Sequence, residues 1–197
     1  MPIKLNSTGG GSITIDVPNM STANTLILPG ISGNVITSAD SGTITQAMFG
    51  TGLAGNGPAF AAYPSASQSF TTGTETKVQY NIKVFDTATC YDTSAYRFTP
   101  NRAGYYYMSA VIGFNLSSST SGIKLYKNGS PSTGTAINFG QVVNNTGIVS
   151  ICASGLVYLN GSTDYVEVYA RQDTGSTNSN YSLQGLTQFT GMMVRSA

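Results

Sequence analysis

The chain of 197 residues has room for one domain of roughly 130 to 150 residues and a smaller appended segment. Only 9% of the residues are charged, and nine Lys and Arg balance eight Asp and Glu, so nucleic acid and anionic membranes are not expected partners. The hydrophobic share of 40%, with 12 Tyr and 8 Phe, predicts a folded chain and excludes disorder.

Met1–Gly10 lacks the apolar stretch of a secretory signal, and no run approaches the roughly 18 apolar residues of a spanning helix. We therefore expect a soluble protein that is retained in the cytoplasm where it is made. Two cysteines, Cys90 and Cys152, are too few for a disulfide scaffold. We expect two separate thiols, mostly buried, with a bridge formed after release as the alternative.

Residues 1–57 are predicted to form an extended, β-rich attachment arm. Its apolar pieces are short and alternating, and Phe49 is its only aromatic residue. Pieces this short cannot bury a core alone, so we expect them to lie on the main domain, on neighbouring copies or on a partner. The glycines between residues 50 and 57 indicate a hinge. The candidate attachment residues are Ile13, Ile15, Val17, Leu26, Leu28 and Val35.

Residues 58–197 are predicted to form an all-β head. Short runs rich in Val, Ile, Thr and Tyr are separated by Gly, Asn and Ser clusters, and helical periodicity is nearly absent. Gly104–Leu116 predicts one long strand that is apolar on both faces. Either a second sheet covers one face and another subunit the other, or two sheets cover both faces; a trimer favours the former. The core face carries Tyr106, Met108, Ala110, Ile112, Phe114 and Leu116.

Two more features complete the predicted head. Leu156–Leu159 and Asp164–Ala170 flank an Asn-Gly turn, which predicts a hairpin, and Gln188–Arg195 predicts a terminal strand. Counted from Ala59, eight to ten strands are expected, the number of a two-sheet antiparallel jelly roll. Because tyrosine is enriched at interfaces, we expect several of the tyrosines to form subunit contacts. Packing of the same tyrosines in the core is the alternative. The candidate trimer contacts are Tyr105, Tyr107, Val111, Tyr165 and Tyr169.

A series of short motifs in the head follows a known order. These are Ala59-Phe60-Ala61-Ala62, Val84-Phe85-Asp86, Tyr91-Asp92, Tyr96-Arg97-Phe98-Thr99-Pro100, Gly104-Tyr105-Tyr106-Tyr107, Lys127-Asn128-Gly129, Leu159–Val166 and Phe189-Thr190-Gly191-Met192. Together they resemble the globular head of complement subcomponent q, which is close in fold to the tumour necrosis factor superfamily. The resemblance implies a homotrimeric jelly roll. Calcium-binding relatives use acidic loop residues, but the acids here are scattered, so we expect no metal site.

The arm contains Thr25-Leu26-Ile27-Leu28-Pro29, then Gly33-Asn34-Val35-Ile36-Thr37 and Ser41-Gly42-Thr43-Ile44-Thr45. This succession is similar to leader segments of bacteriophage tail-fibre and other virion proteins. The resemblance implies a virion protein that is assembled in the host cytoplasm.

Catalysis is not expected from this sequence. Histidine is absent, which removes the usual general base, the catalytic triad and the commonest metal ligand. The nearest carboxylate pairs for a glycosidase mechanism are Asp86 with Asp92, and Asp164 with Glu167. Loop aspartates of this kind are common in turns, so we expect a non-enzyme without a cofactor.

Two functions follow from these expectations. The first is a capsid-decorating, or cement, protein: a trimer held by its arms on a phage head, with the major capsid protein as its partner. The alternative is a tail-fibre or receptor-binding protein that attaches the phage to a host-surface glycan or protein. The absence of a long repetitive shaft favours decoration.

Overall fold

The structure, a computed structural model, describes residues 3–6, 9, 12–15 and 57–197. Within these residues it contains thirteen strands and no helix. The chain separates into two compact units, Met1–Thr43 and Ile44–Ala197. The strands are β1 (Ile3–Asn6), β2 (Ser12–Ile15), β3 (Ala59–Tyr63), β4 (Ser69–Phe70), β5 (Thr76–Lys77), β6 (Ile82–Asp86), β7 (Tyr91–Asp92), β8 (Arg97–Phe98), β9 (Ala103–Lys127), β10 (Thr135–Asn160), β11 (Val166–Gln172), β12 (Asn178–Ser179) and β13 (Gln188–Ser196).

In the first unit, β1 and β2 pair antiparallel, with Ile3 opposite Ile15. Two of the candidate attachment residues, Ile13 and Ile15, lie on β2. The other four candidates, Val17, Leu26, Leu28 and Val35, lie outside the described residues. The attachment role of the arm, and its boundary at residue 57, stay predictions.

The head is organised around the long antiparallel hairpin of β9 and β10, which pair from Lys127 opposite Thr135 to Ala103 opposite Asn160. The other edge of β9 has two different partners. Residues 104–111 pair with β13, which continues into β3 and β6. Residues 121–127 pair with β11, which continues into β8 and β7 and also holds β5. We call these two halves the first sheet and the second sheet.

The two sheets face each other across an aromatic core. Phe60 of β3, in the first sheet, stacks on Tyr91 at 4.8 Å and on Phe98 at 4.6 Å, both in the second sheet. Phe189 of β13 meets the Phe60 ring edge-on at 4.9 Å. A Cβ at Gly191 would lie within 2.8 Å of the Phe60 ring, so this packing requires glycine. The predicted all-β, two-sheet antiparallel jelly roll is confirmed.

The face assignment of the long strand is confirmed, but the strand is longer than predicted. Its core face, from Tyr106 to Leu116, is buried, whereas Tyr105 and Tyr107 are half-exposed. The polar stretch 117–122 breaks the apolar alternation, yet it remains extended because it carries the chain from the first sheet to the second. The head has eleven strands, more than the eight to ten expected, because five of them are only two residues long.

The predicted hairpin around Asn160-Gly161 is wrong. The strands on either side of the turn do not pair with each other, and both pair with β9 instead, one in the first sheet and one in the second. The connection therefore crosses between sheets. The Asn160 side-chain oxygen accepts the amides of Ser162, Thr163 and Asp164 at 2.9 to 3.0 Å, which fixes the turn locally. Asn-Gly predicts such a turn correctly but does not determine which strands pair.

The fully buried Phe114 ring tests the core assignment. We expect Phe114→Ala to lower the free energy of unfolding by about 3–5 kcal/mol, the usual cost of deleting a core aromatic side chain. Leu183→Ala is the control because Leu183 is 63% exposed. Chemical denaturation should detect the loss in the first variant and almost none in the second, and equal stabilities would contradict the core assignment.

Candidate subunit interface

The outer face of the first sheet carries a band of exposed apolar side chains, and the half-buried Val111 lies on the same face beyond a polar row of Ser154, Ser109 and Thr190. Across β9 and β10, Tyr105 lies opposite Tyr158, and Tyr107 lies opposite Leu156. On the other side of β9, Tyr107 lies opposite Met192 of β13. These side chains are between 41% and 65% exposed. We call this surface the apolar strip: Tyr105, Tyr107, Val111, Leu156, Tyr158 and Met192.

The strip has a defined internal geometry. The rings of Tyr105 and Tyr158 meet edge-on with centroids 5.6 Å apart. At one side, Tyr107 and Met192 border an apolar depression of about 240 Å³ that is also lined by Phe85. An exposed apolar surface of this kind makes the strip a candidate interaction site.

The structure does not bring all five predicted trimer contacts together. Tyr105, Tyr107 and Val111 share the apolar strip, but Tyr165 and Tyr169 belong to the outer side of the second sheet. The guanidinium of Arg97 lies 4.6 Å from the centre of the Tyr165 ring. Subunit contacts by these two tyrosines stay a prediction.

Tyr169 has its own partners within the chain. Its ring meets that of Tyr126 edge-on at 5.7 Å, and its hydroxyl donates to the Glu167 carboxylate at 3.2 Å. Partial burial and the charge of Glu167 raise the pKa of Tyr169 to about 12. This tyrosine is therefore a neutral hydrogen-bond donor at physiological pH.

Sequence reasoning missed Leu156, Tyr158 and Met192 as members of the strip. The predicted hairpin pairs the first two with residues of β11, whereas their cross-strand partners lie on β9. The signal was present in the alternation of residues 154–159, since pairing this run with residues 104–109 places both sets of exposed side chains on one face.

The candidate carboxylates serve the loops. Asp86 accepts the amides of Cys90 and Tyr91 at 3.0 and 3.1 Å. Burial alone would raise the pKa of Asp86, but these amides and the Lys83 ammonium outweigh it and lower the pKa. The hydroxyl and amide of Ser94 and the amide of Ala95 lower the pKa of the nearby Asp92 to about 2.

The second carboxylate pair is engaged in the same way. Asp164 is held by Lys127, Asn128 and the amide of Asn160. Its burial would raise the pKa, but these partners lower it. Glu167 forms an ion pair with Lys77. A lowered pKa is the opposite of what a general acid needs, so Asp86, Asp92 and Asp164 fit a structural role.

The two cysteines are unbridged. The expectation of buried thiols is right for Cys90 and wrong for Cys152, which is exposed because it lies opposite Val111 on the outer face of the first sheet. The described residues contain no group of three or more His, Cys, Asp or Glu side chains that could hold a metal ion. They also contain no helix of the length and apolarity needed to cross a membrane.

The fold has known structural counterparts. The crystal structure of murine APRIL at pH 5.0 matches 70% of this chain and 99% of its own, with 13% identity and a TM-score of 0.57. Eiger TNF from S. frugiperda matches 72% of this chain and 95% of its own, with 10% identity and a TM-score of 0.57. The globular domain of zebrafish complement 1qA matches 72% and 99%, with 13% identity and a TM-score of 0.52.

These likenesses confirm the resemblance to complement and tumour necrosis factor heads at the level of the fold. No family model and no curated protein sequence matches the chain. The molecule is therefore a jelly roll of this structural type.

The lowered pKa values of Asp86, Asp92 and Asp164 predict acid sensitivity. A carboxyl group whose pKa is lower in the folded state stabilises the fold above its unfolded pKa of about 3.9, and this stabilisation is lost as the pH falls through the folded value. Thermal melting should therefore show a falling Tm between about pH 4 and pH 2.

Asp86→Asn isolates one of these groups. We expect it to cost about 1.5–3 kcal/mol at pH 7, because a charged acceptor of two amides is lost. The cost should shrink below pH 4. Asp173→Asn, in a more exposed ion pair with Arg171, should cost about 1 kcal/mol or less. An Asp86→Asn penalty independent of pH would contradict the electrostatic explanation.

Proposed function

We propose that the protein is a homotrimeric structural protein of a bacteriophage particle and that it decorates and stabilises the capsid. The observation that carries the trimer is the apolar strip on the first sheet. In a monomer, Leu156 and Met192 would leave more than half of their surface in water. A closed assembly of identical heads removes this surface from water without a second protein.

The fold supports three as the number of subunits. The resemblance to complement and tumour necrosis factor heads implies a homotrimer. The structural comparisons support the jelly-roll fold on which this implication depends. In this arrangement, Tyr105, Tyr107 and Leu156 meet their counterparts near the symmetry axis. Tyrosine suits such a site because it adds apolar area and keeps a polar tip.

The trimer and the arm together support capsid decoration. The motifs around Leu26 and Val35 resemble leaders of phage virion proteins. A trimer presents three arms at once, so weak individual contacts act together through their effective concentration. Binding at capsid junctions would then resist the outward strain on the shell, with the major capsid protein as the partner.

A tail or receptor-binding function is the second candidate. It is favoured by an open cleft of about 310 Å³ that is lined by polar residues such as Glu75, Lys124 and Arg171. This cleft is on the outer face of the second sheet, on the opposite side of the sandwich from the apolar strip. Copy number in the purified particle separates the two functions. Hundreds of copies on the head fit decoration, and a few copies at the tail fit receptor binding.

The apolar strip makes the trimer testable. Light scattering should give about three times the chain mass of 20.5 kDa. Leu156→Glu should shift the mass toward the monomer, because it places three like charges in a dry contact. Leu183→Glu, at a residue with similar exposure outside the strip, should leave the trimer intact. A wild-type monomer at micromolar concentration would refute the proposed assembly.

Deleting residues 1–57 tests whether the arm attaches the protein to the particle while the head folds and trimerises. The truncated protein should remain a soluble trimer with near-native melting, because the core and the strip belong to the head. It should fail to bind particles that lack the protein, whereas the full chain should bind them and raise their resistance to heat. Particle binding by the truncated protein would instead assign attachment to the jelly roll.

A further inference from the structure

The outer face of the second sheet holds an open cleft of about 310 Å³. Small-ligand pockets span roughly 300 to 1,000 Å³, so this cleft has room for a small ligand or for part of a longer one. It is formed by β9, β10 and β11 with the segments beside them. The side chains that define its chemistry are Glu75, Lys124, Phe139, Gln141, Arg171 and Asp173.

The charges of the cleft cancel in pairs. The Lys124 ammonium contacts the Glu75 carboxylate, and Arg171 Nε donates to the Asp173 carboxylate at 2.9 Å. The remaining side chains of this set, Phe139 and Gln141, are neutral. The cleft therefore offers many hydrogen-bond donors and acceptors without a net charge, which disfavours phosphate and other anions as ligands.

An aromatic ring lies within this polar setting. Phe139 lies opposite Lys124 on the outer face of the second sheet, and 47% of its surface is exposed. Its ring rests against the backbone at Gly122, where an added Cβ would lie 2.6 Å from a ring carbon. The Lys124 ammonium is 5.3 Å from the ring centre. The glycine and the lysine together position an apolar surface beside the paired charges.

We propose that this cleft binds a neutral saccharide, with Phe139 against the C–H face of one sugar ring. The paired carboxylates, the two cationic side chains and Gln141 hydrogen-bond the ring hydroxyls. A sugar has this combination of an apolar face and a rim of uncharged donors and acceptors. Because the charged side chains already hold each other in place, little conformational entropy is lost on binding.

The inference rests on the second candidate function, receptor binding, and names a neutral saccharide as the ligand of the cleft; it does not depend on capsid decoration. The cleft lies on the side of the sandwich opposite the apolar strip, so it stays accessible in the proposed trimer. Three clefts in one trimer would also raise the avidity for a repeating polysaccharide surface.

Saturation-transfer difference NMR on the full-length protein tests this. The neutral probes are lactose, maltotriose, cellotriose and chitotriose, and the charged probes are 3′-sialyllactose and methyl phosphate. We expect saturable binding of at least one neutral probe at concentrations up to about 10 mM, the range for weak single-site affinity. Absence of neutral binding, or binding of the charged probes alone, overturns the proposal.

Variants locate the bound sugar. Phe139→Ala should weaken binding about tenfold, or about 1.4 kcal/mol, because it removes the apolar surface against which the sugar ring packs. Gln141→Ala provides a second variant with little risk to folding. Val143→Ala is the matched control because Val143 lies on the same strand, is 62% exposed and does not line the cleft.

Melting curves identify any variant that fails to fold. If Phe139→Ala does not fold, the sugar affinity of Gln141→Ala decides the test. Unchanged affinity in the folded cleft variants would refute this site even if a sugar binds elsewhere. Loss of particle binding or of the trimer has no bearing on the result, so failure of the proposed function and failure of this inference are distinguishable.

Discussion

The continuity of β9 through both sheets is the constraint on which the rest of the head depends. One strand of 25 residues supplies the core face of the first sheet and then that of the second. Because β10 follows it throughout, the two sheets cannot slide independently. The other edge of β9 pairs with β13 at one end and with β11 at the other, and most of the remaining strands attach through these two. The short strands β4 and β12 form a separate pair. Cutting or shifting β9 would therefore affect both sheets at once.

The passage of β9 between sheets includes a change of register. Leu116 pairs with Gly147 and Ser119 pairs with Asn145, so β9 contains one extra residue at this point. Such a bulge exchanges the two faces of a strand. Even-numbered side chains up to Leu116 point into the core, and odd-numbered ones such as Ile123 and Leu125 do so afterwards. The bulge thus places Lys124 on the outer surface, at the edge of the cleft.

The bulge also explains what could be predicted from the sequence. The alternation before residue 117 is strongly apolar, so the strand, its buried face and the exposed Tyr105 and Tyr107 follow from it. The stretch 117–122 contains mainly Ser, Thr and Gly, and such residues do not distinguish one face from the other. The shift, the length of the strand and the cleft beyond it were therefore not predictable. The incorrect hairpin has a related cause, because local turn chemistry at Asn160 fixes a bend and leaves the choice of partner strand to long-range packing.

The two outer faces of the sandwich are consequently suited to different tasks. On the first sheet, the cross-strand neighbours of Tyr105 and Tyr107 are Tyr158, Leu156, Met192 and one charged residue, Arg195. Burying this surface costs little, since it contains few groups that need water. On the second sheet, the ion pairs around Glu75 and Glu167 would be expensive to bury against an apolar partner but can exchange hydrogen bonds with a hydroxylated ligand. In the proposed trimer and the proposed saccharide complex, the ion pairs of the second sheet favour contact with a hydrated ligand over a dry subunit contact. Assembly and ligand binding would then use different faces of one small domain.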